Sequence, residues 1–244
     1  MKGKLIIYTA IFGDYDDLIE PKKHYENCDF ICFTDQEYLK SSVWDVKLIT
    51  DSDLKPNMMN RKYKILPHEF FPNYDYSLYI DANVAVTENP YDLLEKYMKQ
   101  NMIFVPHHPK RNCLYQEAKA CVASGKANVF DVRKQINKYR LKNFPKEYGL
   151  GENNIILRRH NESKVIKVMS DWWQEMNKET QRDQLSFAYV LWKNNLKFTF
   201  MDESSKNNSE YFDYTLHKGA SSRFYMWKNK FLIILRRLTI TNLV

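Results

Sequence analysis

Residues 79–86 read YIDANVAV, a polar triplet between two apolar runs. The run before the triplet predicts a buried strand that ends at Asp81. Asp81 and Asn83 stand two residues apart, so both side chains can reach one hard divalent cation, and Mg²⁺ or Mn²⁺ prefers oxygen ligands. Because such a cation can bridge to a diphosphate, the triplet predicts a metal-assisted phosphate site. The amide of Asn83 supplies no charge, and the alternative is that both residues only begin a turn.

Further apolar runs on both sides of the triplet alternate with helical patterns. The sequence predicts strands at 4–12, 30–34, 77–80, 102–105 and 197–201, and helices at 57–66, 91–100, 114–125, 129–139, 164–178 and 183–194. This alternation favours an α/β fold with a mostly parallel central sheet flanked by helices. Asp14 and Asp35 also follow predicted strands, and ligands bind outside the carboxyl ends of strands in open α/β sheets.

The composition excludes several classes of protein. Of the 244 residues, 44% are hydrophobic and 27% are charged, which is typical of a folded domain and not of a disordered or fibrous chain. No apolar run approaches the roughly 20 residues of a membrane-spanning helix. The four cysteines are too few for a disulfide framework in a chain of this length, so we expect a reduced cytosol.

Most of the net charge of +7 lies at the carboxyl end. Residues 218–244 contain six basic and no acidic side chains, so we predict a domain over 1–217 and a basic tail over 218–244. Aromatic and aliphatic residues of the tail recur at helical spacing, which predicts a helix packed on the domain or lying on an anionic membrane surface. Nucleic-acid binding by the tail is a weaker alternative, because the acidic residues at the strand ends would repel phosphates, and the nearly neutral charge of the domain does not suggest such binding either.

Six motifs follow one another over about residues 4–190. They are YTAIFGDYD at 8–16, CFTD at 32–35, YIDAN at 79–83, HPKRNCLYQEA at 108–118, GLGE at 149–152 and RDQLSF at 182–187. Together they resemble the glycosyltransferase-domain family once described as domain of unknown function 616 (the MUCI/TOD type), which is related to family 8 glycosyltransferases. The resemblance implies a single GT-A type, Rossmann-like domain that moves a sugar from a nucleotide-diphosphate donor, with a uridine diphosphate sugar as the expected donor.

The resemblance also implies the roles of individual residues. The residues expected to bind the donor are Thr9, Ala10, Phe12, Gly13, Asp14, Asp35, Arg61, Lys64, Asp81, Ala82, Asn83, His108 and Lys218. Asp81, Asn83 and His217 would hold Mn²⁺ or Mg²⁺. Asp183 and Glu152 are the candidate catalytic residues, with Glu152 in a turn over 149–152. Ordinary alternatives stay open, namely a helix-capping role for Asp183 and a solvated surface for Glu152.

These expectations combine into one functional hypothesis. The chain would glycosylate a glycan acceptor, with a lipid-linked bacterial cell-surface polysaccharide as the expected case, in the cytoplasm or on the inner face of the membrane. Asp183 would act as a general base in an inverting enzyme or as a positioning group in a retaining one, and the likeness to family 8 favours retention. The alternative is a catalytically silent nucleotide-sugar-binding protein, because Asn83 replaces an acid.

Overall fold

The computed structural model of the chain describes residues 3–216 apart from residues 24, 27, 100 and 208. The strands of this part are β1 (Leu5–Ile11), β2 (Cys28–Thr34), β3 (Asp45–Leu48), β4 (Tyr76–Ile80), β5 (Val84–Val86), β6 (Ile103–Pro106), β7 (Ile155–Arg158), β8 (Phe200–Met201) and β9 (Phe212–Tyr214). The helices are α1 (Pro56–Ile65), α2 (Pro67–Phe70), α3 (Tyr91–Tyr97), α4 (Leu114–Ala123), α5 (Val129–Leu141), α6 (Ser163–Lys178), a 3₁₀ turn (Asp183–Leu185) and α7 (Phe187–Lys193).

Seven strands form one central sheet in the order β3-β2-β1-β4-β7-β6-β8. β1 pairs in parallel with β2 and β4, β2 with β3, and β6 with β8. β7 runs antiparallel to both of its neighbours, β4 and β6. β5 and β9 form a separate antiparallel ribbon. The predicted fold class is confirmed, because the sheet is mostly parallel, Rossmann-like and flanked by helices.

Helices cover both faces of the sheet, and this explains why its central strand is apolar throughout. All seven residues of β1 are buried, as expected for a strand of a parallel sheet that is covered on both faces. α6 buries Val165, Val168, Met169, Trp172 and Met176, which recur every three or four residues along one stripe. The same helix therefore packs against the segment that carries Asp183, since Trp172 stacks on Phe187 with ring centroids 4.1 Å apart.

Several predicted elements differ in the structure. The helix predicted over 183–194 is interrupted at Ser186, whose hydroxyl accepts a hydrogen bond from Trp172 Nε1 at 3.0 Å. The strand predicted over 197–201 is limited to β8. β3, β5, β7 and β9 are not predicted, because each contains at most three consecutive apolar residues. A short apolar run gives no periodicity from which a strand can be inferred.

The predicted boundary at residue 217 and the basic tail over 218–244 lie outside the described residues. Among the residues that are described, none of the helices has the length and hydropathy needed to cross a lipid bilayer. The sheet and its covering helices are thus the part of the chain on which a functional site can be located.

Trp172 is the side chain whose removal should weaken this packing most clearly. Trp172→Ala should lower the free energy of unfolding by about 3–5 kcal/mol, because it opens a cavity in the core and removes the bond to Ser186. Urea denaturation measures the change. Trp173→Ala is the matched control, since the neighbouring ring is only half-buried and should cost much less. Equal losses in the two variants would contradict this account of the core.

Candidate active site

A cavity of about 960 Å³ opens at the edge of the sheet where β1 and β4 end. Residues 10–16 line it after β1, Asp81 and Ala82 line it after β4, and α1 contributes one wall. The segments 126–131 and 179–184 close the opposite side. The cavity therefore lies where an open α/β sheet is expected to bind its ligand.

The reversed direction of β7 adds a third segment to this edge. Because β7 is antiparallel to β4, its amino end lies beside the carboxyl end of β4, and the amide of Asp81 donates to the carbonyl of Asn154 at 2.8 Å. Glu152, Asn153 and Asn154 consequently line the cavity. The turn predicted over 149–152 is wrong, since this segment is extended and Gly151 forms an isolated antiparallel bridge with His107, just after β6. The amide of Glu152 donates to the carbonyl of Pro106 at 2.8 Å.

A buried ion pair lies in the wall of the cavity. Lys64 Nζ lies 2.8 Å from Asp183 Oδ2 and 3.5 Å from Asp81 Oδ1. The side chains of Lys64 and Asp183 are only 2% and 6% exposed, whereas that of Asp81 is 32% exposed. Arg61, one helical turn before Lys64, places its Nε 3.9 Å from the same oxygen of Asp183. One turn of α1 therefore presents two cations to two carboxylates that are distant in sequence.

These charges decide the protonation state of Asp183. Burial by itself would raise the pKa of Asp183, but the positive charges of Arg61, Lys64 and Arg182 outweigh burial and hold that pKa well below its ordinary value. Tyr79 donates to Asp81 Oδ1 at 2.9 Å, and burial followed by the charge of Asp81 raises the pKa of this phenol well above 10. Asp183 is therefore an ionised carboxylate and Tyr79 a neutral donor.

Several buried polar atoms that belong to cavity-lining residues have no hydrogen-bond partner within the protein. They are both side-chain atoms of Asn153, Oδ1 of Asn154, and Nε of Arg61 and of Arg182. Leaving a buried donor or acceptor unsatisfied costs about 1–3 kcal/mol, and native structures contain few such groups. These atoms are therefore available to a polar ligand in the cavity, and the guanidinium nitrogens could donate to its acceptor oxygens.

Glu152 is buried and fully engaged. Its carboxylate bonds to the Lys206 ammonium, and it accepts from the Ser204 hydroxyl at 3.2 Å. Lys206 also lies over the ring of Tyr214, 5.5 Å from its centroid. Glu152 thus ties the segment 204–206 to the edge of the sheet, and Lys206 becomes a further cation in the cavity wall.

The described residues do not by themselves form the expected metal site. Asp81 Oδ1 is already used by Tyr79 and Lys64. The amide nitrogen of Asn83 donates to the carbonyl of Thr215 at 2.9 Å, and Asn83 is not among the residues that line the cavity. His217 lies outside the described residues. In the part of the chain that the structure describes, no three His, Cys, Asp or Glu side chains are grouped as metal ligands. The site for Mn²⁺ or Mg²⁺ stays a prediction.

The other predicted site residues divide into three groups. The cavity is lined by Ala10, Phe12, Gly13, Asp14, Arg61, Lys64, Asp81, Ala82, Glu152 and Asp183. Thr9, Asp35, Asn83 and His108 lie outside its lining, and His217 and Lys218 lie outside the described residues. Asp35 accepts from the amide of Gly13 at 2.9 and 3.1 Å, so it supports the turn that borders the cavity.

His108 belongs to a cluster of its own at the start of α4. Its Nδ1 accepts from the amides of Lys110 and Arg111 at 3.2 and 3.1 Å, and its Nε2 lies 3.5 Å from Glu117 Oε2. Burial lowers the pKa of His108, although the charge of Glu117 opposes this. The imidazole therefore organises the loop before α4 and does not face the cavity.

Asn153, Arg182 and Lys206 are among the cavity-lining residues that the sequence-based predictions omitted. Asn153 follows Glu152 directly but carries no spacing signal, and its position depends on the unpredicted strand β7. Arg182 directly precedes Asp183 in the RDQLSF motif at 182–187, so the sequence contained a signal from which this residue could have been predicted. Lys206 lies in a polar segment, and no local sequence pattern predicts that this segment contacts the edge of the sheet.

Comparison with known proteins agrees with this geometry. The family model described as TOD1/MUCI70, glycosyltransferase-like domain, matches residues 1–212. A relative from Arabidopsis thaliana, named probable hexosyltransferase MUCI70, is 28% identical over 215 residues, which are 76% of this chain and 37% of the relative. A second, named alkaline ceramidase TOD1, is 26% identical over 230 residues, which are 78% of this chain and 48% of the relative.

The matches span less than half the length of either curated relative. The family match nevertheless includes every described segment that lines the cavity, from residue 10 to Lys206. The resemblance inferred from the six sequence motifs is confirmed by that match. The chain belongs to the TOD1/MUCI70 family of glycosyltransferase-like domains.

Proposed function

We propose that the chain transfers a glycosyl unit from a nucleotide diphosphate sugar to a hydroxyl group of a glycan. The observation that carries the proposal is the buried Lys64–Asp183 pair, set beside the unpartnered guanidinium nitrogens of Arg61 and Arg182 in one cavity. Guanidinium groups bind phosphate oxygens in a fixed geometry, so a diphosphate is the ligand that would satisfy them. The family description supports the same class of reaction.

In this proposal the donor lies along the cavity from β1 towards Asp183. The nucleotide would contact residues 10–14, where Gly13 has a φ of +68° that favours glycine and lets the backbone approach closely. The diphosphate would meet Arg61 and Arg182. The sugar would then lie beside Asn153, whose unpartnered amide offers both a donor and an acceptor to sugar hydroxyls.

The proposed reaction exchanges one bond at the anomeric carbon for another. The bond to the diphosphate oxygen breaks, the bond to the acceptor oxygen forms, and the proton of the acceptor hydroxyl passes to an oxygen of the departing phosphate. Positive charge develops on the sugar and negative charge on the leaving group. The ionised Asp183 would stabilise the first, while Arg61 and Arg182 would stabilise the second.

The electrostatics favour one of the two roles predicted for Asp183. A general base works best when its pKa lies near the working pH, and the pKa of Asp183 is held far below it. Asp183 would therefore position and stabilise the reacting sugar without taking its proton. Its hydrogen bond from Lys64 fixes the carboxylate in place, which is what such a role requires.

We extend the proposal to the identity of the substrates. A uridine diphosphate sugar is the donor that we propose, and a lipid-linked cell-surface glycan is the acceptor. The basic tail over 218–244 supports a membrane-bound acceptor, because each basic residue near an anionic surface contributes about 1 kcal/mol of attraction. A divalent cation at Asp81 belongs to the same proposal, and no step described above depends on it.

Donor binding can be tested with a thermal-shift panel of nucleotide sugars, with and without Mn²⁺. A donor at 100 times its Kd should raise the Tm by about 5–10 °C, since it stabilises a domain of this size by about 2.7 kcal/mol. Arg182→Met should remove most of that shift because it removes a guanidinium from the cavity wall. A panel in which no nucleotide sugar raises the Tm contradicts the proposal, and a shift without turnover identifies the silent binding protein instead.

Asn153→Ala should separate binding from stability. The variant should weaken donor binding about fivefold in calorimetry, because a sugar hydrogen bond contributes about 1 kcal/mol. Its ligand-free form should be at least as stable as the original, since the buried amide has no partner to lose. Asn194→Ala is the control: its amide donates to Asp171 and Val190, so that variant should lose stability and keep donor binding. Unchanged donor affinity in Asn153→Ala would remove Asn153 from the sugar site.

Asp183 should also contribute to the pH dependence of stability. Its folded-state pKa is depressed, so its stabilising effect is complete above the unfolded pKa of about 4 and is lost as the pH falls below that value. Asp183→Asn should lower the free energy of unfolding by about 3 kcal/mol at pH 7, because it breaks a buried pair. It should also make that free energy less dependent on pH in acid, by up to about the contribution of one bound proton. Urea unfolding between pH 3 and pH 7 measures both effects. Asp131→Asn, at an exposed carboxylate of the same cavity, is the control and should cost much less stability at pH 7, because it breaks no buried pair; an equal cost there would refute the assignment.

A further inference from the structure

Arg158, the last residue of β7, is a buried cation outside the cavity. Its residue is 0% exposed, and none of the ion pairs found among the described residues includes it. Its Nη1 instead donates to the carbonyl of Lys64 at 3.0 Å, and its Nη2 donates to the hydroxyl of Tyr8. Tyr8 in turn donates to the same Lys64 carbonyl at 3.0 Å.

A buried guanidinium without an ion-pair partner is unfavourable unless other contacts compensate for its lost hydration. A buried guanidinium with no carboxylate loses its hydration without a matching charge, and burial lowers the pKa of Arg158. The compensation is the carbonyl of Lys64, which lies in the last turn of α1, where the helix dipole is negative and attracts a cation. Arg158 and Tyr8 therefore fix the backbone of α1 at Lys64.

The residue whose carbonyl is held is also the residue whose ammonium forms the buried ion pair. Lys64 Nζ lies 2.8 Å from Asp183 and 3.5 Å from Asp81. A shift of the last turn of α1 would change the distances from Lys64 Nζ to Asp183 and to Asp81 together, because the side chain of Lys64 extends from that turn. Arg158 holds the backbone of the last turn of α1, while Asp183 and Asp81 hold the Lys64 ammonium at the cavity.

We propose that Arg158 is a positioning residue of the transfer site, which acts on Asp183 and Asp81 through the backbone carbonyl of Lys64. This inference rests on the function proposed above. It differs from a purely structural role in one respect: its loss must displace the Lys64 ammonium and reduce turnover through Lys64. A purely structural arginine would reduce stability and leave the geometry of the pair intact.

The neighbouring Arg159 provides a matched control. Its Nη2 donates to the carbonyl of Met98 at 2.6 Å, and its guanidinium lies 5.4 Å from the centroid of the Tyr76 ring. Adjacent residues at a strand end point to opposite faces, so Arg159 makes a similar carbonyl contact on the side of the sheet away from α1. Arg159→Met should therefore affect stability without affecting the pair.

The first test is a crystal structure of the Arg158→Met variant, compared with Arg159→Met. The proposal expects the separation of Lys64 Nζ and Asp183 Oδ2 to exceed the ion-pair limit of about 4 Å in Arg158→Met and to remain near 2.8 Å in the control. An unchanged separation in Arg158→Met overturns the proposal. The measured distance does not depend on enzymatic activity. If the chain transfers no sugar, the proposed function is contradicted, but the effect of Arg158 on the ion pair can still be tested.

The second test is a kinetic cycle with saturating nucleotide sugar. Arg158→Met should lower kcat about 10- to 100-fold with little change in donor KM, because misplacing a catalytic group by about 1 Å costs up to that much. In a Lys64→Met background the same substitution should cause no further loss, since the group that it positions is absent. An equal loss in both backgrounds overturns the proposal.

A conservative variant guards against a failure of Arg158→Met to fold. Arg158→Lys keeps the buried charge and can still donate to the Lys64 carbonyl, although a single ammonium cannot also hold Tyr8 in the same geometry. The proposal expects this variant to fold and to recover most of the kcat. If Arg158→Lys folds yet loses as much kcat as a Lys64→Met variant, Arg158 is not a positioning residue for Lys64.

Discussion

The buried pair of Lys64 and Asp183 is the interaction on which the rest of the structure depends. Each charge would cost several kcal/mol to bury alone, so the pair exists only because α1 and the segment before α7 are held within hydrogen-bonding distance. α1 is anchored to the sheet through the carbonyl of Lys64, and the opposite segment is anchored through Trp172 and Ser186. The two elements are thereby fixed relative to each other, and the cavity lies between them.

A single reversed strand supplies both ends of this arrangement. The amino end of β7 brings residues 152–154 to the cavity, and its carboxyl end brings Arg158 beneath α1. A parallel strand in the same place would have put residues 152–154 at the far edge of the sheet. Because β7 is antiparallel to β4, the three residues just before it reach the cavity, while its last residue, Arg158, reaches the support of the ion pair.

The parts of this structure that the sequence could predict are those with local patterns. The apolar runs of β1, β2 and β4 and the acids that end them identified the ligand-binding edge, and a stripe of apolar residues identified α6. β7 could not be predicted, since a four-residue run gives no periodicity. The same gap explains why Glu152 was expected in a turn and why Asn153 was missed. The pairing of Lys64 with Asp183 joins residues 119 positions apart, and no local pattern contains it.

Unpaired buried polar atoms are concentrated in the cavity wall, although others occur elsewhere in the described part of the chain. Of eleven buried side-chain atoms without a partner among the described residues, five belong to four residues of the cavity lining. Elsewhere amides are well satisfied: Asn161, for example, donates to three backbone carbonyls. Folding alone would select against unpaired atoms in one place, because each lowers stability. A ligand that satisfies them only when bound recovers this free energy as affinity, so the local loss of stability is itself an argument for a polar ligand in this cavity.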